Sequence, residues 1–222
     1  MAKKNILVIG ARGHARAVAD VIKTEGRYRI AGLIDTYQEP GTVCFGLKVI
    51  GGEKDVPKIC DKLNIRQIFI AIGDNFQRES MAKRLKKAAP EISLLSAIHP
   101  SAIIGSDVEI GEGTVIMPAV VIVSGCHIEE GCILNTAASL DHDGKMGAWS
   151  SIGPGVVAGG YLRLGKRSAV SIGASVKDRI SIGRDVVIGI GAVVTKDVPD
   201  KVIAYGVPCR VIRPRRSDEP YI

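Results

Sequence analysis

The segment "NTAASLDHDGKMG", from Asn135 to Gly147, contains one of only four histidines in the chain and places it between two carboxylates. His142 follows Asp141 and precedes Asp143. A neutral imidazole accepts protons near pH 7, and a neighbouring carboxylate orients the ring and raises its basicity. The segment therefore offers a general base for a nucleophile that must lose a proton. From the residues alone, an exposed polar turn without a chemical role is the alternative.

The sequence around this segment repeats every six residues. From Ile98 to Val194, all seventeen positions spaced by six are apolar, and many of them are followed by glycine. This period predicts a solenoid, in which three faces form one triangular coil and successive coils stack about 4.8 Å apart. Aliphatic side chains fill the rod, so we expect ligands to bind outside it, between subunits.

The solenoid repeat also predicts the surroundings of the base. Leu140 points inward, and His142 lies two residues further along the chain. The equivalent positions one coil before and one coil after are Ser124 and Gly160. Both residues are small, so we expect open space beside the imidazole.

The first 90 residues instead alternate apolar strand patterns with helical ones. Strands are predicted at 5–10, 28–35 and 67–74, and helices at 14–26 and 76–89. This alternation predicts a small parallel sheet of Rossmann type. We therefore expect an α/β Rossmann-like subdomain (1–90), a parallel β-helix (91–200) and a C-terminal extension (201–222). The loop after the first strand has only Gly10 and Gly13 of a dinucleotide motif, which argues against NAD.

Composition narrows the class of protein. Aromatic residues are 4% of the chain, which argues against a stacking platform for single-stranded nucleic acid. The net charge of +7 suits a small anionic substrate such as a nucleotide or coenzyme A, although a solvated basic surface is the simpler interpretation. The five cysteines follow no zinc spacing. No apolar run has the length of a signal-peptide core or membrane span. We expect a reduced, cytoplasmic protein that binds no metal or nucleic acid and does not insert into membranes.

Five segments together resemble a known family: "VIGARGHARAVADVI" (8–22), "AIGDNFQR" (71–78), "NTAASLDHD" (135–143), "GPGVVAGG" (153–160) and "YGVPCRVI" (205–212). Over almost its whole length the chain resembles the hexapeptide-repeat sugar O- and N-acyltransferases of the sialic acid O-acetyltransferase type. Within them it is most similar to N-acetyltransferases of nucleotide-linked 4-amino-4,6-dideoxysugars, which serve bacterial glycan biosynthesis. The resemblance implies a left-handed β-helix and acetyl-CoA as co-substrate. Because the filled rod has no internal cleft, the site must form between rods, and we expect a homotrimer, which closes such a heterologous contact.

The resemblance also implies roles for individual residues. His142 would be the general base toward the 4-amino group, oriented by Asp143. The residues expected at the nucleotide sugar are Arg12, Gly13, His14, Asp35, Thr36 and Gly73. The residues expected at acetyl-CoA are Ser151, Gly160, Ile172 and Ile190. Relatives often carry a histidine at the position of Ser151, so a contact between Ser151 and the thioester stays open. They often carry a small residue at the position of Arg12, so the identity of the sugar also stays open.

Three alternatives remain at this point. A sialic acid or other sugar O-acetyltransferase would use the same base. A non-catalytic β-helix assembly subunit would need neither the base nor the nucleotide loop. A metal-dependent hydratase needs three convergent histidines, whereas His127 and His142 lie at different offsets of the repeat. The sequence does not distinguish UDP from GDP as the nucleotide.

Overall fold

In the computed structural model, which describes residues 3–221, the chain begins with a six-stranded sheet in the order β3-β4-β2-β1-β5-β6. Its strands are β1 (Lys4–Ile9), β2 (Tyr28–Ile34), β3 (Val43–Cys44), β4 (Leu47–Gly51), β5 (Gln67–Ile70) and β6 (Ser93–Leu94). Only the β3–β4 hairpin pairs antiparallel; the other neighbours are parallel. The three strands predicted from the sequence are β1, β2 and β5. The Rossmann-type sheet is therefore confirmed.

Three helices pack with this sheet: α1 (Gly13–Glu25), α2 (Val56–Leu63) and α3 (Asn75–Ala88), and a single 3-10 turn, Glu53–Asp55, precedes α2. Helix α1 ends because Gly26 adopts a left-handed conformation, with φ 77°. Helix α3 begins at Asp74, whose carboxylate accepts a hydrogen bond from the Gln77 N–H at 2.9 Å. The predicted helices correspond to α1 and α3, whereas α2 and the β3–β4 hairpin had no counterpart in the sequence prediction.

The repeat forms a triangular prism of seventeen two-residue strands, β7 to β23. In each of them the second residue is one of the positions spaced by six. The strands are Ala97–Ile98, Ile103–Ile104, Glu109–Ile110, Val115–Ile116, Val121–Ile122, His127–Ile128, Ile133–Leu134, Ser139–Leu140, Lys145–Met146, Ser151–Ile152, Val157–Ala158, Arg163–Leu164, Ala169–Val170, Ser175–Val176, Ser181–Ile182, Val187–Ile188 and Val193–Val194. Every third strand pairs in parallel, so the strands form three sheets along the rod.

The outward residues give each of the three faces a different character. The covered face carries Ala97, Val115, Ile133, Ser151, Ala169 and Val187, which are buried except for the half-buried Ser151. The apolar face carries Ile103, Val121, Ser139, Val157, Ser175 and Val193, without a charge. The charged face carries Glu109, His127, Lys145, Arg163 and Ser181. The N-terminal subdomain packs on the covered face, where α1 and β7 are in contact.

A buried arginine joins the first subdomain to the prism. Arg78, on α3, is 1% exposed. Its guanidinium donates to five oxygens at 2.6–3.2 Å, those of Ile72 O, Gly73 O, Asn75 Oδ1, Gly131 O and Trp149 O. Two of these carbonyls belong to the prism and two to the loop after β5. One side chain thus fixes the position of that loop relative to the coils.

An ion-pair cluster extends the same junction. Glu79 contacts Lys83, Lys166 and Arg167 at 2.6–2.8 Å, and Arg167 also binds Asp185 at 2.7 Å. Burial alone would raise the pKa of Glu79, but these cations lower it to about 2. The cluster is therefore fully charged at neutral pH and orients α3 on the rod.

The C-terminal segment continues the covered sheet. Strand β24 (Val202–Tyr205) pairs in parallel with Val187–Ile188, and β25 (Arg210–Pro214) returns antiparallel to it. The sheet pairings therefore run across both domain boundaries expected from the sequence, at 90 and at 200, and those boundaries stay predictions. Residues 1, 2 and 222, assigned to the first and last segments, lie outside the described residues. Within the described part, no helix is long and apolar enough to cross a membrane.

Candidate active site

The imidazole of His142 is held by the carboxylate that follows it in the chain. Its Nδ1 lies 2.8 Å from Asp143 Oδ2, whereas Asp141 Oδ1 accepts the backbone N–H of His142 at 2.7 Å. The hydrogen bond that Nδ1 donates to Asp143 raises the pKa of His142, and the charges of Asp141, Asp143 and Asp178 add to this effect. With Nδ1 donating to Asp143, the lone pair of the neutral ring lies on Nε2. The pair can thus accept a proton through Nε2.

Glycines of the neighbouring coils accommodate both members of the pair. A methyl group added at Gly160 would lie 2.6 Å from His142 Nε2, and one added at Gly125 would lie 2.8 Å from Asp143 Oδ1. The space predicted beside the imidazole therefore exists, but the ring itself fills it. Gly160, expected at acetyl-CoA, lies beneath the base.

Sequence reasoning missed an aromatic residue that contacts the base. The Tyr161 ring meets the His142 ring at a centroid distance of 5.0 Å and an interplanar angle of 86°. The Arg179 guanidinium lies over the same tyrosine at 4.4 Å. Asp143, Tyr161 and Arg179 occupy the same corner of successive coils, with φ of 57°, 60° and 58°. The repeat period, counted forward from Asp143, is the signal that could have found both residues.

A cleft of about 560 Å³ opens in the first subdomain, at the carboxyl ends of β1, β2 and β5, where nucleotides bind in open parallel sheets. Of the six residues predicted at the nucleotide sugar, five line this cleft: Arg12, His14, Asp35, Thr36 and Gly73. Gly13 is the first residue of α1 and is not among the lining residues. A more open groove of about 710 Å³ on the charged face involves none of the predicted site residues.

Asp35 shapes the mouth of the cleft. Its carboxylate accepts the backbone N–H groups of Ala11 and Tyr37, each at 2.8 Å, and of Gln38 at 3.2 Å. These bonds tie the loop after β1 to the loop after β2. Above them, the Arg12 guanidinium lies 5.1 Å from the centre of the Tyr37 ring. Tyr37 was not singled out from the sequence, because its position on the rim depends on how the two loops meet.

His14 lies in the wall of the cleft as a neutral residue. Burial lowers its pKa to about 4, with a further contribution from the charge of Arg78. Its Nε2 is shielded from solvent and has no hydrogen-bond partner among residues 3–221. A buried polar atom without a partner is costly, so this nitrogen is suited to bind a polar group of a ligand in the cleft.

The residues expected at acetyl-CoA lie at three different places on the prism. The Ser151 hydroxyl accepts a hydrogen bond from Asn75 Nδ2 at 3.1 Å and lies 3.5 Å from Tyr221 Oη, on the covered face. Ile172 and Ile190 are 53% and 74% exposed, at the edge between the covered and apolar faces. Gly160 lies at the opposite edge of the apolar face. One chain alone therefore does not bring these four residues together.

Within residues 3–221, no group of three or more His, Cys, Asp or Glu side chains could hold a metal ion.

The sequence and the fold are similar to those of known proteins. Residues 5–85 match the family described as the PglD N-terminal domain. Perosamine N-acetyltransferase from Caulobacter crescentus, solved as a histidine-to-asparagine mutant with CoA and GDP-perosamine, is 32% identical and superposes with a TM-score of 0.89 over 96% of this chain and 98% of that one. The acetyltransferase domain of PglB from Neisseria gonorrhoeae, solved with acetyl coenzyme A, is 30% identical, with a TM-score of 0.84 over 95% of this chain and 100% of that one.

A curated relative gives the same class. UDP-N-acetylbacillosamine N-acetyltransferase from Bacillus subtilis is 32% identical over 118 residues, which are 51% of each chain. The matched region thus covers about half the length of this relative.

The prism and the Rossmann-like sheet that precedes it define a hexapeptide-repeat acyltransferase with a left-handed β-helix, as the resemblance implied. Within that class, the chain belongs to the nucleotide 4-amino-sugar N-acetyltransferases. At the level of this family, the predicted acetyltransferase chemistry and the predicted acetyl-CoA are confirmed.

Proposed function

We propose that this chain transfers the acetyl group of acetyl-CoA to the 4-amino group of a UDP- or GDP-linked 4-amino-4,6-dideoxysugar, with His142 as general base. The observation that carries the proposal is the His142–Asp143 contact of 2.8 Å at the edge of the coil. It supplies a proton acceptor in a chain that is similar to an N-acetyltransferase solved with CoA and GDP-perosamine. The product would serve bacterial glycan biosynthesis, and we place the reaction in the cytoplasm.

The chemistry follows from the orientation of the imidazole. The acceptor nitrogen attacks the thioester carbonyl and forms the new C–N bond, while His142 Nε2 removes a proton from that nitrogen. The tetrahedral oxyanion then collapses, the C–S bond breaks, and the coenzyme leaves as a thiol after it takes up a proton. Asp143 stabilises the imidazolium that exists between these two proton transfers.

The nucleotide part of the acceptor occupies the cleft of the first subdomain in this proposal. Arg12 supplies a positive charge at its mouth, and His14 Nε2 is available to a phosphate or sugar oxygen. Asp35 already accepts three backbone N–H groups, so its main part is to hold the two loops in shape. Thr36 and Gly73 complete the wall without bulk. Gly13 does not line the cleft, and in this proposal it contributes to the nucleotide site from the N-terminal end of helix α1.

The surface between subunits is the apolar face. Its outward residues carry no charge, and Ile103 and Val157 are 65% and 56% exposed. Ile172 and Ile190, two of the residues expected at acetyl-CoA, lie along one edge of this face, and His142 lies along the other. If neighbouring subunits pack on it around a threefold axis, the edge with Ile172 and Ile190 comes next to the edge with His142. Such a contact joins two different edges of neighbouring subunits, and three subunits are enough to close it into a ring, which is a homotrimer.

The test is an acetylation assay with a panel of UDP- and GDP-linked 4-amino sugars, read out as thiol release from acetyl-CoA. The matched control is the same nucleotide sugar with a 4-hydroxyl group. We expect turnover of at least one amino sugar and none of its hydroxyl analogue. Turnover of the hydroxyl sugars alone would support the O-acetyltransferase alternative, and no turnover of any member would overturn the proposal.

A further inference from the structure

The His142 imidazole needs more than one contact to stay oriented. The bond from Nδ1 to Asp143 fixes one atom of the ring, but the side chain is 47% exposed. A ring held at one atom can still rotate and move Nε2 away from the acceptor amine. General-base catalysis requires Nε2 within hydrogen-bond reach of the proton that it removes. A second constraint on the ring would therefore contribute directly to turnover.

We propose that Tyr161 is a positioning residue that supplies this constraint and fixes the plane of the His142 ring. The inference rests on the proposed role of His142 as the base. Tyr161 touches His142 edge to face, with centroids 5.0 Å apart and planes at 86°, an arrangement in which aromatic rings attract each other. Gly160 lies below Nε2. The imidazole is thus bounded by a carboxylate, a glycine and an aromatic ring.

The tyrosine is itself held in place on both sides. Its backbone N–H donates to the His142 carbonyl at 2.9 Å, so the two residues keep their register on adjacent coils. On the next coil, the Arg179 guanidinium lies 4.4 Å from the centre of the Tyr161 ring, within the range of a cation–π contact. The column Asp143, Tyr161 and Arg179 therefore repeats along one corner and immobilises the ring that contacts the base.

The experiment compares Tyr161→Ala with Tyr161→Phe in steady-state assays of both substrates. For Tyr161→Ala we expect kcat to fall about 10-fold, less than the ~10²-fold that a 1 Å misplacement can cost. Both KM values should stay within about twofold of wild type, since a general base acts in the proton transfer rather than in substrate binding. Tyr161→Phe keeps the ring and should retain wild-type kcat. Arg163→Ala is the control, because it changes the same coil on the charged face.

The possible results distinguish the positioning role of Tyr161 from the role of His142 as general base. If Tyr161→Ala keeps wild-type kcat while His142→Asn loses it, the positioning role is overturned and the proposed function stands. If Tyr161→Phe loses as much as Tyr161→Ala, the hydroxyl rather than the ring matters, which also overturns the inference. If His142→Asn is fully active, the proposed base itself is wrong. If Tyr161→Ala does not fold, as judged by its melting curve, Tyr161→Leu replaces it, because leucine fills the space without a planar ring.

Discussion

The imidazole of His142 lies over the α-carbon of Gly160, so closely that a methyl group there would be 2.6 Å from Nε2. Gly160→Ala must therefore displace the ring, because the three atoms nearest to the added methyl group all belong to the imidazole. We expect kcat to fall by about 10-fold or more, since a small misplacement of a catalytic group is expensive, while the melting temperature changes little.

A double variant provides the control for Gly160. If glycine acts through the base, Gly160→Ala should add almost nothing to the loss already caused by His142→Asn, because coupled residues are not additive. An increase in the KM of acetyl-CoA with unchanged kcat would contradict this account. It would instead support the coenzyme contact that the family resemblance implies for Gly160.

The two aspartates beside the base should differ in importance. Asp143 binds Nδ1, whereas Asp141 binds only the backbone N–H of His142. Asp143→Asn should therefore lower kcat more than Asp141→Asn, measured at a pH on the plateau of the rate profile. The reverse order would show that the orienting carboxylate has been assigned to the wrong residue.

The pH profile gives an independent check on Asp143. The hydrogen bond to Asp143 raises the pKa of His142, and the base works only when the ring is neutral. Activity should therefore fall as the pH drops through this raised pKa. Asp143→Asn removes the charge and lowers the pKa of His142, so the acid limb of kcat/KM should move to lower pH. An unchanged limb would mean that another group controls it.

The prism was predictable because its pattern is local and repeated. Each inward position, from Ile98 to Val194, satisfies the same requirement, and the structure places all seventeen as the second residue of a strand. The hairpin β3–β4 and helix α2 were missed, since a two-residue strand, a five-residue strand and an eight-residue helix carry too little pattern. Their stability comes from packing on the sheet.

In the site too, contacts between neighbours in sequence could be predicted, whereas contacts between distant residues could not. His142 and Asp143 are adjacent in sequence, so their pairing could be predicted from the segment alone. The contacts of Tyr161, and two of the five hydrogen bonds of Arg78, join residues of different coils or domains. Sequence spacing does not encode which carbonyl a buried guanidinium will reach, so these contacts became visible only in the folded chain.

Arg78 should be essential for the stability of the junction. Arg78→Met removes a buried cation and leaves its carbonyl partners without a donor. We expect the free energy of unfolding in urea to fall by about 3–5 kcal/mol, because several buried acceptors lose their donor at a cost of about 1–3 kcal/mol each. Lys83→Met, which removes an exposed partner of Glu79 on the same helix, should cost less than about 1 kcal/mol. Equal losses would show that Arg78 is not the main connection.

In the proposed homotrimer, the apolar face should carry the contact between subunits. Val157→Asp places a charge in the middle of that face, and we expect light scattering to show dissociation toward the 23.5 kDa single chain together with loss of activity. Ser181→Asp, an equivalent change on the charged face, should leave both properties unchanged. If Val157→Asp remains a trimer, the subunits meet through another surface.

The most direct test of the account is the turnover number of His142→Asn at saturating acetyl-CoA and nucleotide amino sugar. Asparagine keeps much of the shape of the side chain but cannot accept the proton of the amine. We predict that kcat falls by about 10²–10⁴, the usual contribution of a general base, while acetyl-CoA binds as tightly as to the unmodified chain. A variant that keeps more than about a tenth of the original kcat would show that the amine loses its proton to another group, and His142 would not be the base.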